Sequence, residues 1–453
     1  MKMLLSEIAQ NIKGDLVGTD VDIVSVSIDT RALQLGDLYI AVKGDQFDGN
    51  AFVDKAEQAG AKAAILNKGF TTGLPHILVD DTRLALGQLA SAWRDKASAK
   101  VVGITGSNGK TTVKEMVAAI LSQEGSVLFT QGNLNNDIGV PLTLFRLNKG
   151  HHYAVIEMGA NHLGEIAYVS TIAKPDVVIL NNAGAAHIEG FGSLDDIAKA
   201  KGEIIETLKP EGVAVLNRDD KYFDYWQSLA GDKKILSFGL SGGADIAARN
   251  IKSEIISNTF ATTFDLVTAS GLLNVNLKLA GQHNVMNALA AAAASLALGL
   301  SMEQIKAGLE SVKPVTGRMQ PLVGRLGNII FDDTYNANAS SLKAGLDVLV
   351  LCKGKHWVVL GAFGEIGSES AKIHEEMGRL INSKGVVRLL AMGSDAKNTV
   401  RAFGKGATFF DSQEDLISAL KTELEGDEII LIKGSRVQQM EKVAAALVEN
   451  FRA

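Results

Sequence analysis

A glycine-rich turn followed by lysine and threonine is the feature of this chain that points most directly to chemistry. Glycine lets backbone N–H groups approach an anion, lysine can reach the outer phosphates of a nucleotide, and a threonine hydroxyl can hold Mg²⁺. Gly106 precedes Gly109 by only three residues, a more compact spacing than the usual Walker motif. We therefore expect a nucleoside triphosphate to bind along Gly106, Ser107, Asn108, Gly109, Lys110, Thr111 and Thr112.

The residues around this turn predict the elements that would position it. An apolar run over 101–104 predicts a strand before the turn, and apolar residues at helical spacing over 113–121 predict a helix after it. The N-terminus of that helix would add its positive dipole to the anion site. The alternative is an ordinary turn with a solvent-exposed lysine, and the strand–turn–helix context argues against it.

Three further residues are candidates for Mg²⁺ binding or catalysis. Glu157 ends the apolar run 154–156, so it should lie with the glycine-rich turn at the carboxyl edge of a parallel sheet. A carboxylate there suits Mg²⁺, and a surface or helix-capping glutamate is the alternative. His187 follows another predicted strand, and Lys201 lies in a predicted helix. From the residues alone, a hydrogen-bonded loop histidine and a solvated lysine are the favoured interpretations.

Two asparagines at the start of a predicted helix leave two interpretations open. Asn284 and Asn287 are about one helical turn apart, so their side chains can project from the same face. An asparagine amide offers a donor beside an acceptor, which suits the N6/N7 edge of adenine. The alternative is that Asn284 caps the helix while Asn287 is solvated.

The last third of the chain contains two more polar clusters. Asp332 and Asp333 follow a predicted strand and could hold ribose hydroxyls, and Arg318 could meet a γ-phosphate as it is transferred. Residues 433–436, Lys-Gly-Ser-Arg, follow another predicted strand and could bind a carboxylate or a phosphate. Ordinary polar turns explain both clusters at least as well on local pattern alone.

The pattern of apolar residues divides the chain into three regions and predicts an α/β fold. Residues 1–98 mix short strands and helices, whereas 99–313 alternate strand and helix as expected of a mainly parallel sheet. Within the second region, residues 253–279 change to a period of two, which predicts a short antiparallel insertion. Residues 314–453 predict a second α/β unit.

Composition limits the classes of function. The chain has 453 residues, of which 46% are hydrophobic and 21% are charged, as in a globular protein. Its net charge of −6 argues against binding to nucleic acid. The single cysteine, Cys352, permits no internal disulfide, and no apolar run is long enough for a signal peptide or a transmembrane helix. We expect a cytoplasmic monomer.

Taken together, the motifs resemble the Mur ligase family, ATP-dependent enzymes that build the peptide of the bacterial cell wall. The compact turn, Glu157, His187, Lys201, the stretch 281–287 and Arg318 follow one another in the family's order. The resemblance covers nearly the whole chain. It implies three α/β domains. Residues 1–98 would bind a UDP-substrate, residues 99–313 would bind ATP around a parallel sheet, and residues 314–453 would form a Rossmann-like C-terminal domain.

The resemblance also assigns roles to particular residues. Lys201 would be carbamylated, which turns a cation into a carboxylate-like ligand, and would bind one Mg²⁺ with His187 and Glu157. Thr111 would help to hold a second Mg²⁺ beside the phosphates. Catalysis would depend on Lys110, Lys201, His187 and Arg318. The substrate contacts would come from Ser27, Asp29, Thr30, Arg31, Asn133, Asn135, Asn136, Asp137, Tyr335, Asn336, Lys433, Ser435 and Arg436.

Four stretches are similar to the family member that acts last: 132–139, 157–160, 333–338 and 433–436. That member joins D-alanyl-D-alanine to UDP-N-acetylmuramoyl-tripeptide through an acyl phosphate. Two departures stand out. Asn50 occupies a position where the family often has histidine, and Ala362 and Phe363 replace its usual Asp-Met. The acidic side chain missing at 362 bears on how the dipeptide would be placed.

Three other functions remain compatible with these motifs. A sibling ligase would add another amino acid, and a folylpolyglutamate synthase shares the compact turn. A regulatory nucleotide switch would use the turn to bind a nucleotide and would have no ligase activity. An amine and a carboxylate should both be required for ADP release only if the chain is a ligase.

Overall fold

The computed structural model describes residues 2–44, 47–184, 188–256 and 259–448, and it has the mixed α/β fold that the sequence predicts. Its first part contains β1 Met3–Leu4, α1 Leu5–Ile12, β2 Asp15–Val17, β3 Asp22–Ile23, β4 Val26–Ser27, β5 Leu38–Ile40, α2 Val53–Gln58, β6 Ala63–Asn67, β7 His76–Val79 and α3 Thr82–Asp95. A five-stranded sheet has the order β2-β7-β6-β5-β4, and β2 alone is antiparallel to its neighbour.

The middle of the chain builds the largest sheet. Its elements are β8 Lys100–Thr105, α4 Lys110–Leu121, β9 Val127–Phe129, α5 Gly139–Leu144, β10 Tyr153–Glu157, α6 Glu165–Ala173, β11 Val177–Leu180, α7 Ile188–Phe191, α8 Leu194–Glu206, β12 Val213–Asn217, α9 Phe223–Ala230, β13 Lys234–Gly239, β14 Ile246–Ile256, β15 Thr259–Thr268, β16 Gly271–Leu277, α10 Gln282–Ala297 and α11 Met302–Ser311. The nine strands have the order β16-β15-β14-β13-β12-β11-β8-β10-β9.

The antiparallel segment predicted between 253 and 279 is not a separate insertion. Strands β14, β15 and β16 are antiparallel to one another, as the period of two predicts. However, β14 also pairs in parallel with β13 through Phe238 and Gly239, so the three strands continue the parallel sheet. The sequence pattern shows the alternation of faces but contains no signal for which edge the hairpin joins.

The last part of the chain forms a second parallel-rich sheet. Its elements are β17 Gln320–Val323, β18 Ile329–Asp333, α12 Ala339–Leu349, β19 Lys355–Gly361, α13 Ser370–Ser383, β20 Arg388–Met392, α14 Ala396–Phe403, β21 Ala407–Phe410, α15 Gln413–Glu423, β22 Glu428–Lys433 and α16 Glu441–Leu447. The strand order is β17-β18-β22-β19-β20-β21, with only β17 antiparallel. The sheets fall within the predicted segments, whose boundaries stay a prediction.

Both junctions between the parts combine apolar and polar contacts. Helix α3 shares a hydrophobic core with the central part, and Trp93 Nε1 donates to the carbonyl of Leu147 and Arg94 Nε to that of Ala173, both at 3.0 Å. The C-terminal sheet receives an aromatic side chain from β15, because the rings of Phe260 and Phe331 lie 5.2 Å apart. Among the helices that the structure describes, none is long and apolar enough to cross a membrane.

Candidate active site

The glycine-rich turn between β8 and α4 is held in place by the loop that follows β11. Gly109 has a φ of +81°, a left-handed conformation that glycine adopts without strain. The N–H groups of Ser107 and Asn108 donate to the carbonyl and the side-chain oxygen of Asn182, at 3.0 and 2.9 Å. The hydroxyl of Ser107 donates to Gly184 O at 2.9 Å. The turn is therefore shaped by its neighbours before α4 begins at Lys110.

Lys110 lies over the turn that precedes it. Its Nζ donates to Gly106 O at 2.6 Å. Burial lowers the pKa of Lys110 below its usual value, Glu157 opposes that shift, and Arg318 adds to it. The amine is thus close to both a carboxylate and a guanidinium, which is the setting expected where negative charge is neutralised.

Thr111 joins the central part to the C-terminal part. Its hydroxyl donates to Glu157 Oε2 at 3.0 Å and accepts from Arg318 Nη2 at 2.9 Å. Asn135 Nδ2 donates to the other oxygen, Glu157 Oε1, at 2.9 Å. Glu157 is 3% exposed at the end of β10, at the carboxyl edge of the sheet predicted from its position. The structure therefore brings the predicted Thr111 and Glu157 into direct contact.

Arg318 lies between the central and C-terminal parts with its guanidinium against an aromatic ring. Its Cζ is 4.1 Å from the ring centroid of Tyr335. Within the described part of the chain, the Nε of Arg318 is buried and has no hydrogen-bond partner. A buried donor without a partner is costly, so this N–H is available to an acceptor that enters the cavity.

Lys201 is a buried amine on helix α8. It is 3% exposed, and burial together with the nearby charge of Lys110 lowers its pKa to about 7. Its Nζ lies 5.9 Å from the ring centroid of Phe191. The interpretation of Lys201 as a solvated lysine is therefore wrong. His187, predicted to bind the same metal, lies outside the described residues.

A cavity of about 630 Å³ opens between the central and C-terminal sheets. Most of the predicted nucleotide, metal and substrate residues line it: Ser107, Asn108, Gly109, Lys110, Thr111, Thr112, Asn133, Asn135, Asn136, Glu157, Lys201, Asn284, Asn287, Arg318, Asp333, Tyr335, Asn336 and Lys433. These residues come from sequence positions more than 300 apart, so their meeting is a tertiary result. They form the candidate active site.

The two asparagines of α10 face inward rather than toward solvent. The helix is capped by Gly281, and Asn287 is 4% exposed, so the alternative of a capping and a solvated asparagine is wrong. Asn284 Nδ2 donates to Ala280 O at 2.7 Å, and Asn287 Nδ2 donates to Asn284 Oδ1 at 3.1 Å. Both side chains therefore already have protein partners within the cavity wall.

The C-terminal cluster pairs two residues that the sequence placed in different roles. Lys433 is 1% exposed, and its Nζ lies 2.5 Å from Asp333 Oδ2 and 3.1 Å from Asn336 O. Ser435 is also buried and donates to Ala362 O at 2.7 Å. Arg436 extends outward toward Glu441 at 3.4 Å. Residues 433–436 therefore do not present three free polar side chains to one anion.

The predicted UDP-sugar residues lie in the N-terminal part, away from the cavity lining. Asp29 and Arg31 form an exposed ion pair of 2.7 Å, and hydrogen bonds from Arg31 lower the pKa of Asp29 to about 2. Ser27 Oγ donates to Asp29 O at 3.0 Å. Thr30 lies between these residues, and Asp137 forms an ion pair with Arg83 on α3. Their roles in binding stay predictions.

The positions that depart from the family pattern are packed inside the fold. Asn50 is 2% exposed and donates to Asp48 Oδ1 at 2.7 Å and Asn67 Oδ1 at 2.8 Å. Ala362 and Phe363 are buried, and the Phe363 ring lies 5.0 Å from that of His374. A side chain added at Gly393 would begin 2.7 Å from the methyl group of Ala362, so the two residues pack closely.

Sequence reasoning missed several polar residues that line the cavity: Asn181, Asn182, Asn217, Asn338 and Ser340. A signal existed for Asn181, Asn182 and Asn217, because they lie at the ends of β11 and β12 as Glu157 does at the end of β10. Asn338 ends the stretch 333–338 that the resemblance singled out, whereas Ser340 had no signal. Asn338 Nδ2 donates to Asn108 Oδ1, and Asn108 Nδ2 to Ser340 Oγ, each at 2.9 Å across the cavity.

Comparisons with known proteins cover nearly the whole chain. The sequence matches the family descriptions "Mur ligase family, catalytic domain" over 22–94, "Mur ligase middle domain" over 104–295 and "Mur ligase, glutamate ligase domain" over 317–436. A curated relative, the UDP-N-acetylmuramoyl-tripeptide--D-alanyl-D-alanine ligase of Escherichia coli strain K12, is 43% identical over 453 residues. That alignment covers 99% of each chain.

Two solved structures are similar to this chain over nearly its whole length. The crystal structure of MurF from Acinetobacter baumannii has a TM-score of 0.93 and 37% identity, covering 99% of both chains. The MurF ligase from Thermotoga maritima, solved in complex with ADP, has a TM-score of 0.84 and 30% identity. It covers 93% of this chain and 96% of that one.

Proposed function

Since this chain belongs to the Mur ligase family, we propose that it is the ATP-dependent ligase that joins D-alanyl-D-alanine to UDP-N-acetylmuramoyl-tripeptide in the cytoplasm. One observation carries the proposal. A single cavity brings the glycine-rich turn, Glu157, Lys201 and Arg318 together, so a nucleotide and a carboxylate can meet there. The choice of D-alanyl-D-alanine as the amine substrate comes from the reaction named for the relatives.

The proposed reaction has two steps. The free carboxylate of the tripeptide attacks the γ-phosphorus of ATP, forming an acyl phosphate and releasing ADP. The amine of the dipeptide then attacks the acyl carbon, an amide bond forms, the amine loses a proton, and phosphate leaves. Lys110 and Arg318 offset the repulsion between carboxylate and triphosphate, because both cations line the cavity. Contacts such as Asn108–Asn338 keep the C-terminal part over the turn, which limits hydrolysis of the intermediate by water.

The residues present fit a divalent cation. Thr111 Oγ1 and Glu157 Oε2 lie 3.0 Å apart, and both are oxygen donors of the kind that Mg²⁺ prefers. We propose that Glu157 and Lys201 as its carbamate, with His187 as a further predicted ligand, hold one Mg²⁺, and that Thr111 helps to hold a second Mg²⁺ beside the phosphates. When bound, the ions would neutralise charge that develops on the phosphates.

The chemistry of Lys201 supports its modification. A carbamate forms when a neutral amine attacks CO₂ and then releases a proton. A pKa of about 7 leaves much of the Lys201 amine neutral at physiological pH, whereas an ordinary lysine is almost entirely charged. Burial that is unfavourable to an ammonium group therefore favours the reactive form.

The remaining predicted contacts divide between the two sides of the cavity. We propose that Asn133, Asn135 and Asn136 approach the tripeptide, and that Tyr335 and Asn336 approach the dipeptide or the nucleotide sugar. The UDP end would lie on the N-terminal part, near Ser27, Asp29, Thr30 and Arg31, with Asp137 of the central part beside α3.

The test is a coupled assay of ADP release with UDP-N-acetylmuramoyl-tripeptide and a panel of amines. D-alanyl-D-alanine should support turnover, whereas meso-diaminopimelate, lysine and glutamate should not. Lys110→Ala should abolish turnover while circular dichroism shows a folded protein. A fully active Lys110→Ala variant would contradict the mechanism, and preference for another amine would assign the chain to a sibling ligase or a folylpolyglutamate synthase. ADP release without either substrate would indicate a nucleotide switch.

A further inference from the structure

Strand β10 ends at Glu157, and its regular pairing with β9 stops just before that residue. The two strands pair in parallel up to Val155 and Phe129. The N–H of Thr130 still donates to the carbonyl of Val155 at 3.1 Å, as in a regular parallel ladder. The next bond of that ladder would join the N–H of Glu157 to the carbonyl of Thr130. Instead, this N–H donates to the hydroxyl of Thr130 at 3.0 Å. A side-chain oxygen therefore replaces a main-chain oxygen at the end of the strand.

The carbonyl of Thr130 accepts a hydrogen bond from a buried lysine on α4. Lys114 Nζ donates to this carbonyl at 2.8 Å and lies 3.0 Å from Glu115 Oε1. It is also 5.6 Å from the ring centroid of Phe129. Lys114 is 2% exposed, and Thr130 is fully buried. Because a buried ammonium group without partners is costly, this bond fixes the direction of the Thr130 carbonyl.

Glu157 is thus fixed at both its main chain and its side chain. Thr130 holds its N–H, while Thr111 and Asn135 donate to its two carboxylate oxygens at 3.0 and 2.9 Å. A ligand that is already ordered binds an ion without first losing conformational freedom. Residues that hold a metal ligand in this way strongly affect the affinity for the metal.

We propose that Thr130 and Lys114 are positioning residues for the metal site. Lys114 fixes Thr130, and the hydroxyl of Thr130 fixes the main chain at Glu157. Neither is among the described residues that line the cavity, so the two act through Glu157 and not by touching a substrate. The inference rests on the proposed function in taking Glu157 as a ligand of Mg²⁺.

The test measures how strongly Mg²⁺ favours the binding of β,γ-methylene-ATP, an analogue that cannot transfer its γ-phosphate. Calorimetry on the full chain in bicarbonate buffer, with Mg²⁺ or with EDTA, gives the ratio of the two dissociation constants. Thr130→Val keeps the shape of the side chain but removes the oxygen that accepts from Glu157. The ratio should fall about tenfold or more, and the dissociation constant in EDTA should stay unchanged. Lys114→Met should lower the ratio too, because it releases the carbonyl of Thr130.

Two matched variants separate positioning from a general loss of packing. Thr130→Ser keeps the hydroxyl and should retain the wild-type ratio. Thr262→Val removes another fully buried threonine hydroxyl of the same sheet, on β15, which bonds to Ser253 Oγ at 2.9 Å. It should lower stability in urea unfolding and leave the ratio unchanged.

The inference is overturned if Thr130→Val keeps the wild-type ratio, or if Thr130→Ser or Thr262→Val lowers it as much as Thr130→Val does. Should Thr130→Val not fold, Lys114→Met decides, and a wild-type ratio in that variant overturns the inference.

Glu157→Gln separates this inference from the proposed function. If Glu157→Gln keeps the wild-type ratio, the proposed metal site is wrong and the inference falls with it. If Glu157→Gln lowers the ratio and Thr130→Val does not, only the positioning role is wrong.

Discussion

Lys201 should make the protein less stable at neutral pH than a variant with an apolar side chain of similar length. Burial, reinforced by Lys110, lowers its pKa from 10.5 to about 7. Between these values the unfolded chain binds up to one more proton than the folded chain. The free energy of unfolding therefore rises with pH through that window, and the cost of burying the amine is greatest below pH 7.

The size of the effect follows from the two pKa values. Keeping Lys201 neutral costs about 4 kcal/mol at pH 7 and about 2 kcal/mol at pH 9. Methionine fills a similar volume without a charge to desolvate. Lys201→Met should therefore be more stable than wild type by about 4 kcal/mol at pH 7, and this advantage should halve by pH 9. Ligase activity should be lost at both.

Urea unfolding in CO₂-free buffer at pH 7, 8 and 9 measures the effect, with tryptophan fluorescence as the signal. Trp226 is a suitable reporter, because its Nε1 donates to Ala198 O on α8 at 3.0 Å. Lys199→Met is the control, since Lys199 is exposed beside Asp196, which raises its pKa. A stability difference for Lys201→Met that stays constant from pH 7 to 9 would refute the reasoning.

Three further changes test other contacts of the cavity. Lys433→Met leaves the partly buried carboxylate of Asp333 without its partner at 2.5 Å, so the free energy of unfolding should fall by about 1–3 kcal/mol, and adding Asp333→Asn should recover most of it; wild-type stability in the single variant contradicts this. Gly109→Ala should abolish ADP binding in calorimetry, because a side chain there would meet Asn181 and Asn287. Gly164→Ala is the control, since Gly164 has a similar φ of +88° with open space around it, and this variant should only lower stability. Unchanged ADP binding in Gly109→Ala would argue against the close packing of Gly109 on these asparagines. Arg318→Lys keeps the charge but loses the planar set of donors, so kcat should fall about a hundredfold with ADP affinity retained; an equal loss of affinity would assign Arg318 to ground-state binding.

The sequence predicted those features that are encoded locally. The turn around Lys110 lies between an apolar run and a helical pattern, and those are β8 and α4 in the structure. Glu157 followed from the rule that ligands gather at the carboxyl ends of parallel strands. Both predictions needed only neighbouring residues and one general property of α/β sheets.

Features that depend on distant partners could not be predicted in this way. Lys201 resembles any lysine on an amphipathic helix, and its pKa is lowered because the fold buries it close to Lys110. Asn287 and Asn181 are 106 positions apart, so no local pattern shows that they share a hydrogen bond. Lys433 and Asp333 were given separate roles because their pairing arises from the register of β18 beside β22.

Phe260 has a consequence for the order in which the polypeptide matures. Its hairpin, β14–β15, leaves the ribosome before β18 and the rest of the C-terminal sheet. Phe260 and the partly buried Ile255 then belong to the apolar core that forms around Phe331. The C-terminal sheet therefore completes its core on a surface that is already synthesised, and a polypeptide beginning at residue 314 would expose that core to aggregation.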